Sequence, residues 1–132
     1  MVSPDKHQTS KNRHFIQALG HALNGIFTVV KEERNMRFHV FGAAAVIIVG
    51  SFLHLSAAQW LWNFLAITAV FAAEFLNTVV ETMCDLIVGH HYDPNVKKAK
   101  DVAAGMVLLM ALFAVIIGLL VMGPALLKLI GG

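Results

Sequence analysis

The stretch AAQWLWNFLAITAVFAAEFLNTVVETMCDLIV, residues 57–88, decides the fold. Its first seventeen residues carry no Asp, Glu, Lys or Arg, and the acids that follow, Glu74, Glu81 and Asp85, are set among apolar neighbours. As a helix it would run about 48 Å against a hydrocarbon core of about 30 Å. It therefore reads as a membrane span whose last turns protrude. Upstream, the uncharged sequence extends back to Arg37, too long for one crossing but suited to two joined by a tight turn at residues 54–59. There Ser56 can cap a new helix by accepting from a free backbone N–H, and Trp60 and Trp62 sit where interfacial aromatics are enriched. Span one is predicted over residues 38–54 and span two over 57–88. A third uncharged run lies between Asp101 and Lys128, predicting span three over residues 101–127, with an end near Gly123-Pro124.

Composition agrees with this reading. Of 132 residues, 58% are hydrophobic and 14% charged, whereas soluble domains average about 45–50% and about 25%. A soluble catalytic domain, a disordered chain and a secreted domain are excluded, and the lone Cys84 excludes a disulfide framework. One domain covers residues 1–132. Before span one, Phe15, Ile16, Leu19, Ala22, Leu23, Ile26, Phe27 and Val30 recur at helical spacing with polar residues between them. That pattern predicts an amphipathic helix over residues 12–32 lying in the membrane surface, with residues 1–11 flexible. Basic residues precede span one and reappear as Lys97, Lys98 and Lys100 between spans two and three, while the first loop has none. The positive-inside rule then places the N-terminus in the cytoplasm and the C-terminus outside. The net charge of +2 does not point to nucleic acid.

Within span two, Glu74, Asn77, Glu81 and Asp85 fall at offsets of three, seven and eleven, an arc of about 80°. A charge at the bilayer centre costs at least about 2.5 kcal/mol. Three carboxyls and an amide on one stripe therefore argue for chemistry over simple helix–helix glue, which one amide would supply. Two charge clusters, residues 31–39 and 97–101, are predicted at the same cytoplasmic boundary. Each read alone is a solvated turn. Together with the stripe they hold carboxylates suited to Mg²⁺ bridging protein to substrate phosphates and lysines suited to phosphate, the parts of a phosphoryl-transfer site. No Walker or kinase glycine loop is present. A small proton-coupled transporter using Glu74 as carrier, or a purely structural subunit, remain the rival readings.

The run EFLNTVVETMCD at 74–85, followed by AKDVAAG at 99–105, resembles the signature of the small prokaryotic diacylglycerol kinase family, which includes undecaprenol kinases; Glu33-Arg34-Asn35 with Arg37 and His39 is similar to the family's first acidic motif. The resemblance covers residues 14–122. It implies an all-α homotrimer, three transmembrane helices and a surface helix per subunit, that phosphorylates a lipid alcohol with ATP and Mg²⁺ at a bacterial plasma membrane. By motif position, Glu74 resembles the general base and Asn77 its polar neighbour. Glu33 and Glu81 resemble the metal-binding carboxylates, which also meet nucleotide. Lys100 and Asp101 resemble the nucleotide-binding pair, His91 lies where the family contacts nucleotide, and Arg37 and Asp85 support the site. Phe15, Ala18, Leu19, Ala22 and Leu23 resemble surface-helix positions beside the lipid. A carboxylate withdrawn from water is the stronger base, which suits Glu74 to that role.

The Glu33-Arg34-Asn35 form of the first motif resembles the undecaprenol kinases, with diacylglycerol the alternative substrate; both present a primary alcohol. Cys84 reads as packing. Three spans cannot easily shield three acids from lipid, so a neighbouring subunit is expected to supply the missing wall.

Overall fold

The computed structural model describes residues 14–132. The expected flexible segment 1–11, and the first two residues of the predicted surface helix, lie outside the described residues. Four helices follow in order: α1 Phe15–Glu32, α2 Arg34–Phe52, α3 Ala57–Val88 and α4 Pro94–Gly131. The last three are long and apolar enough to cross a membrane.

The joints explain the lengths. Glu33 alone separates α1 from α2, with extended backbone at φ −91° and ψ 115°. The freed carbonyls at the end of α1 need donors, and the Arg37 guanidinium supplies them, donating to Lys31 O at 2.5 Å and Val30 O at 3.4 Å. The charged cluster at 31–39, expected as a turn, is thus helical on both sides of one extended residue. Hydropathy marks where lipid begins, and a helix hydrogen-bonded within itself continues into water past that boundary.

Between α2 and α3 the chain reverses in four residues, with His54 at φ 51°. Ser56 caps α3, as its position predicts. Gln59 N donates to Ser56 Oγ at 3.2 Å, and Ser56 N donates to Gln59 Oε1 at 2.8 Å, a reciprocal capping box. Gly50 allows the close approach behind this turn, because a Cβ there would lie 2.9 Å from Trp60 Cη2. At the other end Gly89, at φ 58°, closes α3 and donates to Asp85 O at 2.9 Å.

The helix α4 opens on Pro94, with Asp93 Oδ1 accepting from Asn95 N at 2.7 Å and Val96 N at 3.2 Å. The basic cluster at 97–101 is therefore the first turns of this helix. Its far end also differs from the sequence expectation, since α4 runs through Gly123-Pro124 to Gly131. Proline removes one backbone donor, but an apolar helix in lipid has no better way to satisfy its remaining backbone groups than to stay helical. At about 57 Å, α4 exceeds the bilayer core at both ends.

The main packing is α3 against α4, with α2 resting on α3 and α1 on α2. Buried apolar side chains are few and mostly small: Met36, Ala66, Val70, Ala73, Cys84 and Ala103. Large apolar side chains such as Phe41, Leu65, Leu86, Leu109 and Leu120 face outward, as a lipid-facing surface requires. The largest fully buried side chains are Met36, Glu74 and Asn63. Two of the three are polar, which draws attention to one face of α3.

Candidate active site

Helix geometry builds the centre of this face. Glu74, Asn77 and Cys84 are buried on α3, Glu81 is half-buried, and Asp85 is exposed at the helix end. Asn77 Nδ2 donates to Glu81 Oε1 at 3.2 Å, the i,i+4 spacing that places the two groups one turn apart. Thr78 and Thr82 turn their hydroxyls back to Glu74 O and Thr78 O at 3.0 and 2.8 Å. Their polar atoms are thereby withdrawn from the site.

Glu74 is 1% exposed, and both of its carboxylate oxygens are buried without a hydrogen-bond partner. Burying an unpartnered carboxylate costs several kcal/mol, so this group is held at a disadvantage that packing alone does not explain. The imidazole of His39 on α2 approaches it, with Nε2 3.9 Å from Glu74 Oε2. The carboxylates of Glu33 and Glu81 both lie within electrostatic range of it. Thus the α1–α2 joint, α2 and α3 together bring three acids and an imidazole to one region.

Further along α3, about 16 Å from Glu74, Asp85 Oδ1 accepts from Lys100 Nζ at 2.6 Å. The same ammonium lies within range of Glu81 and Cys84. Lys97 and Asp101 form an ion pair one turn apart on α4. The face therefore runs from a buried carboxylate, through Asn77 and Glu81, to an exposed lysine-rich end. Its chemistry suits a proton acceptor at one end and anion binding at the other.

Among the described residues no group of three His, Cys, Asp or Glu side chains forms a ready cation cage. Two carboxylates, Glu33 and Glu81, both within electrostatic range of Glu74, still fit Mg²⁺, which takes one or two protein carboxylates and completes its shell with phosphate and water. His91 is exposed in the turn after α3, with its backbone N–H donating to Val88 O at 3.0 Å. Phe15, Leu19, Ala22 and Leu23 are exposed on α1, Ala18 is half-buried, and α1 packs on α2.

Two polar residues of this region have no role assigned from sequence. His39 has a place in the first acidic motif, but its approach to Glu74 depends on how α2 packs on α3. Asn63 is 2% exposed with Nδ2 unpartnered. Its offset of eleven from Glu74 put it on the same helical face, a signal the sequence held.

Beside His39, a groove of about 490 Å³ runs between α2, α3 and α4. It starts at Phe38 and His39, passes Val46 and Phe71, and reaches Met122 and Leu126.

Comparison with known proteins adds to this geometry. The family model described as prokaryotic diacylglycerol kinase matches residues 20–122. The chain is 42% identical over 120 residues to a protein of Bacillus subtilis (strain 168) named undecaprenol kinase, covering 91% of this chain and 96% of that one. It is also 42% identical over 109 residues to a diacylglycerol kinase of Synechocystis sp., covering 83% of this chain and 62% of the relative.

Proposed function

This chain belongs to the prokaryotic diacylglycerol kinase family and is a lipid kinase, and on that premise we propose that it transfers the γ-phosphate of ATP to the hydroxyl of undecaprenol. The observation that carries the chemistry is Glu74, a buried carboxylate with no partner for either oxygen. The lipid is argued from the undecaprenol kinase relative, matched over nearly its whole length. Diacylglycerol is the second reading, favoured by the equally identical Synechocystis relative.

In this proposal Glu74 takes the proton of the lipid hydroxyl as its oxygen attacks the γ-phosphorus. Glu33 and Glu81 are the residues that would hold Mg²⁺, and Asn77 orients Glu81 through its hydrogen bond. When bound, Mg²⁺ would supply positive charge to offset the negative charge that develops on the transferring phosphoryl group. Lys100 can give one of its three donors to Asp85 and the others to phosphate. Asp101 and His91 complete the nucleotide end, and Arg37 secures the joint that carries Glu33. Phe15, Ala18, Leu19, Ala22 and Leu23 float α1 in the headgroup layer, flanking incoming lipid.

The enzyme sits in a bacterial plasma membrane with its N-terminus and the α3–α4 loop in the cytoplasm, where ATP is. It works as a homotrimer, a number that rests on the family resemblance alone. That it has neighbouring subunits at all has physical support, since three spans cannot easily wall an acidic face from lipid.

The test is phosphoryl transfer in nanodiscs with Mg²⁺ and labelled ATP. Label should appear in undecaprenyl phosphate and vanish when Mg²⁺ is chelated. Transfer only to diacylglycerol would replace the lipid assignment. Flux that needs Glu74 and no nucleotide would favour a transporter instead.

A further inference from the structure

The gap between His39 and Glu74 has a size with chemical meaning. At 3.9 Å between Nε2 and Oε2 the two groups are too far apart to bond each other. They are well placed to bond a third atom between them: two hydrogen bonds of about 2.8 Å, with ends 3.9 Å apart, meet at about 90°. A hydroxyl oxygen can accept one and donate the other at such an angle. Both Glu74 oxygens are buried and unpartnered. The His39 side chain is 18% exposed, so it too is largely out of water, and the Phe38 ring meets it edge-on at 6.4 Å between centroids.

The surroundings identify what would bring a hydroxyl there. His39 stands at one end of the α2–α3–α4 groove, which continues past Ala43, Val46 and Val49 on α2 and Ala114 and Gly118 on α4. From His39 to Val49 is about 15 Å of helix. Beyond the imidazole the named walls carry no polar side chain. A ligand that fits has one hydroxyl at its end and an apolar chain behind it.

We propose that His39 orients the lipid hydroxyl for attack, its Nε2–H donating to the hydroxyl oxygen while that hydroxyl donates its proton to Glu74, with the start of the lipid chain lying in the α2–α3–α4 groove. This rests on the lipid-kinase reading with Glu74 as base. In the transfer step the lipid O–H bond breaks and its proton goes to Glu74 Oε2. One oxygen lone pair forms the bond to the γ-phosphorus, and the bond from that phosphorus to the bridging oxygen breaks with its electron pair leaving on ADP. His39 keeps its own proton throughout. Its hydrogen bond occupies the second lone pair and so fixes the direction of the first.

The test separates binding from turnover. Full-length protein in detergent is titrated with farnesol and with farnesene, the same chain length without the hydroxyl, each corrected for partition into protein-free micelles. Wild type should prefer the alcohol by about tenfold. His39→Phe should abolish the preference, and His39→Gln, which keeps an N–H donor, should retain most of it; both should elute and melt like wild type. In lipid-kinase assays His39→Phe should lower kcat/KM for lipid about tenfold or more and leave KM for ATP unchanged. A wild-type protein without preference for the alcohol, or a Phe variant that keeps it, would overturn the assignment. If preference is lost in the Phe variant but wild type transfers no phosphate to any lipid, the hydroxyl site stands and the kinase reading fails.

Discussion

Replacing Glu74 with Gln should move activity and stability in opposite directions. The side chain keeps its shape, so the change is in charge and basicity. Glu74 is 1% exposed, neither oxygen has a partner, the imidazole of His39 stays 3.9 Å away, and two further acids bear on it. Exchanging a buried, unpartnered carboxylate for a neutral amide of equal volume is stabilising by about 1–3 kcal/mol, because an unpaired charge costs more to bury than an unpaired amide. Losing a general base costs about 10²–10⁴-fold in rate. The expected variant therefore melts higher in detergent than wild type, binds nucleotide as wild type does, and turns over at least about 100-fold more slowly at saturating ATP and lipid. Thermal unfolding followed by circular dichroism and a labelled-phosphate assay on the same preparation read both quantities. Turnover within tenfold of wild type would remove Glu74 as the base. A variant that is both slower and less stable would make Glu74 a structural residue and undo the reasoning from its burial.

Two other perturbations probe the scaffold and the assembly. Ser56→Ala breaks the capping box at the start of α3 and should cost about 1 kcal/mol of stability, read from the melting curve, with turnover per folded molecule unchanged because the cap lies at the end of α3 remote from Glu74 and Glu81. Co-assembling an inactive Glu33→Gln chain with an inactive Glu74→Gln chain should restore part of the activity if one site draws on two subunits; mixtures as inactive as either parent would confine each site to a single chain.

How much of this was legible beforehand follows from what each feature depends on. The three apolar crossings and the stripe of Glu74, Asn77, Glu81 and Asp85 follow from hydropathy and the 3.6-residue repeat, both local properties. Ser56 as a cap is local too, since its partner is three residues away. The helix ends were less legible. Arg34 and Pro94 open helices inside charged sequence because backbone hydrogen bonding, and the side-chain cap at Asp93, do not depend on lipid. The long α4 likewise ignores Pro124. What no local pattern contains is the meeting of His39 with Glu74, 35 positions apart, because it depends on the packing of α2 on α3. The Lys100–Asp85 pair depends in the same way on α3 and α4 lying antiparallel. Asn63 is a different case: its helical phase was readable, but its burial required the neighbours that cover it.

Whether this membrane kinase acts on undecaprenol is read most directly by a competition assay. Nanodiscs containing undecaprenol and diacylglycerol at equal mole fraction are supplied with limiting labelled ATP and Mg²⁺, and the two phosphorylated lipids are separated and counted. Their ratio is the ratio of kcat/KM values, free of differences in enzyme amount or folding. Label should accumulate mainly in undecaprenyl phosphate, and Glu74→Gln should abolish both products together. Label found mainly in phosphatidic acid, or in neither lipid, would contradict the undecaprenol assignment.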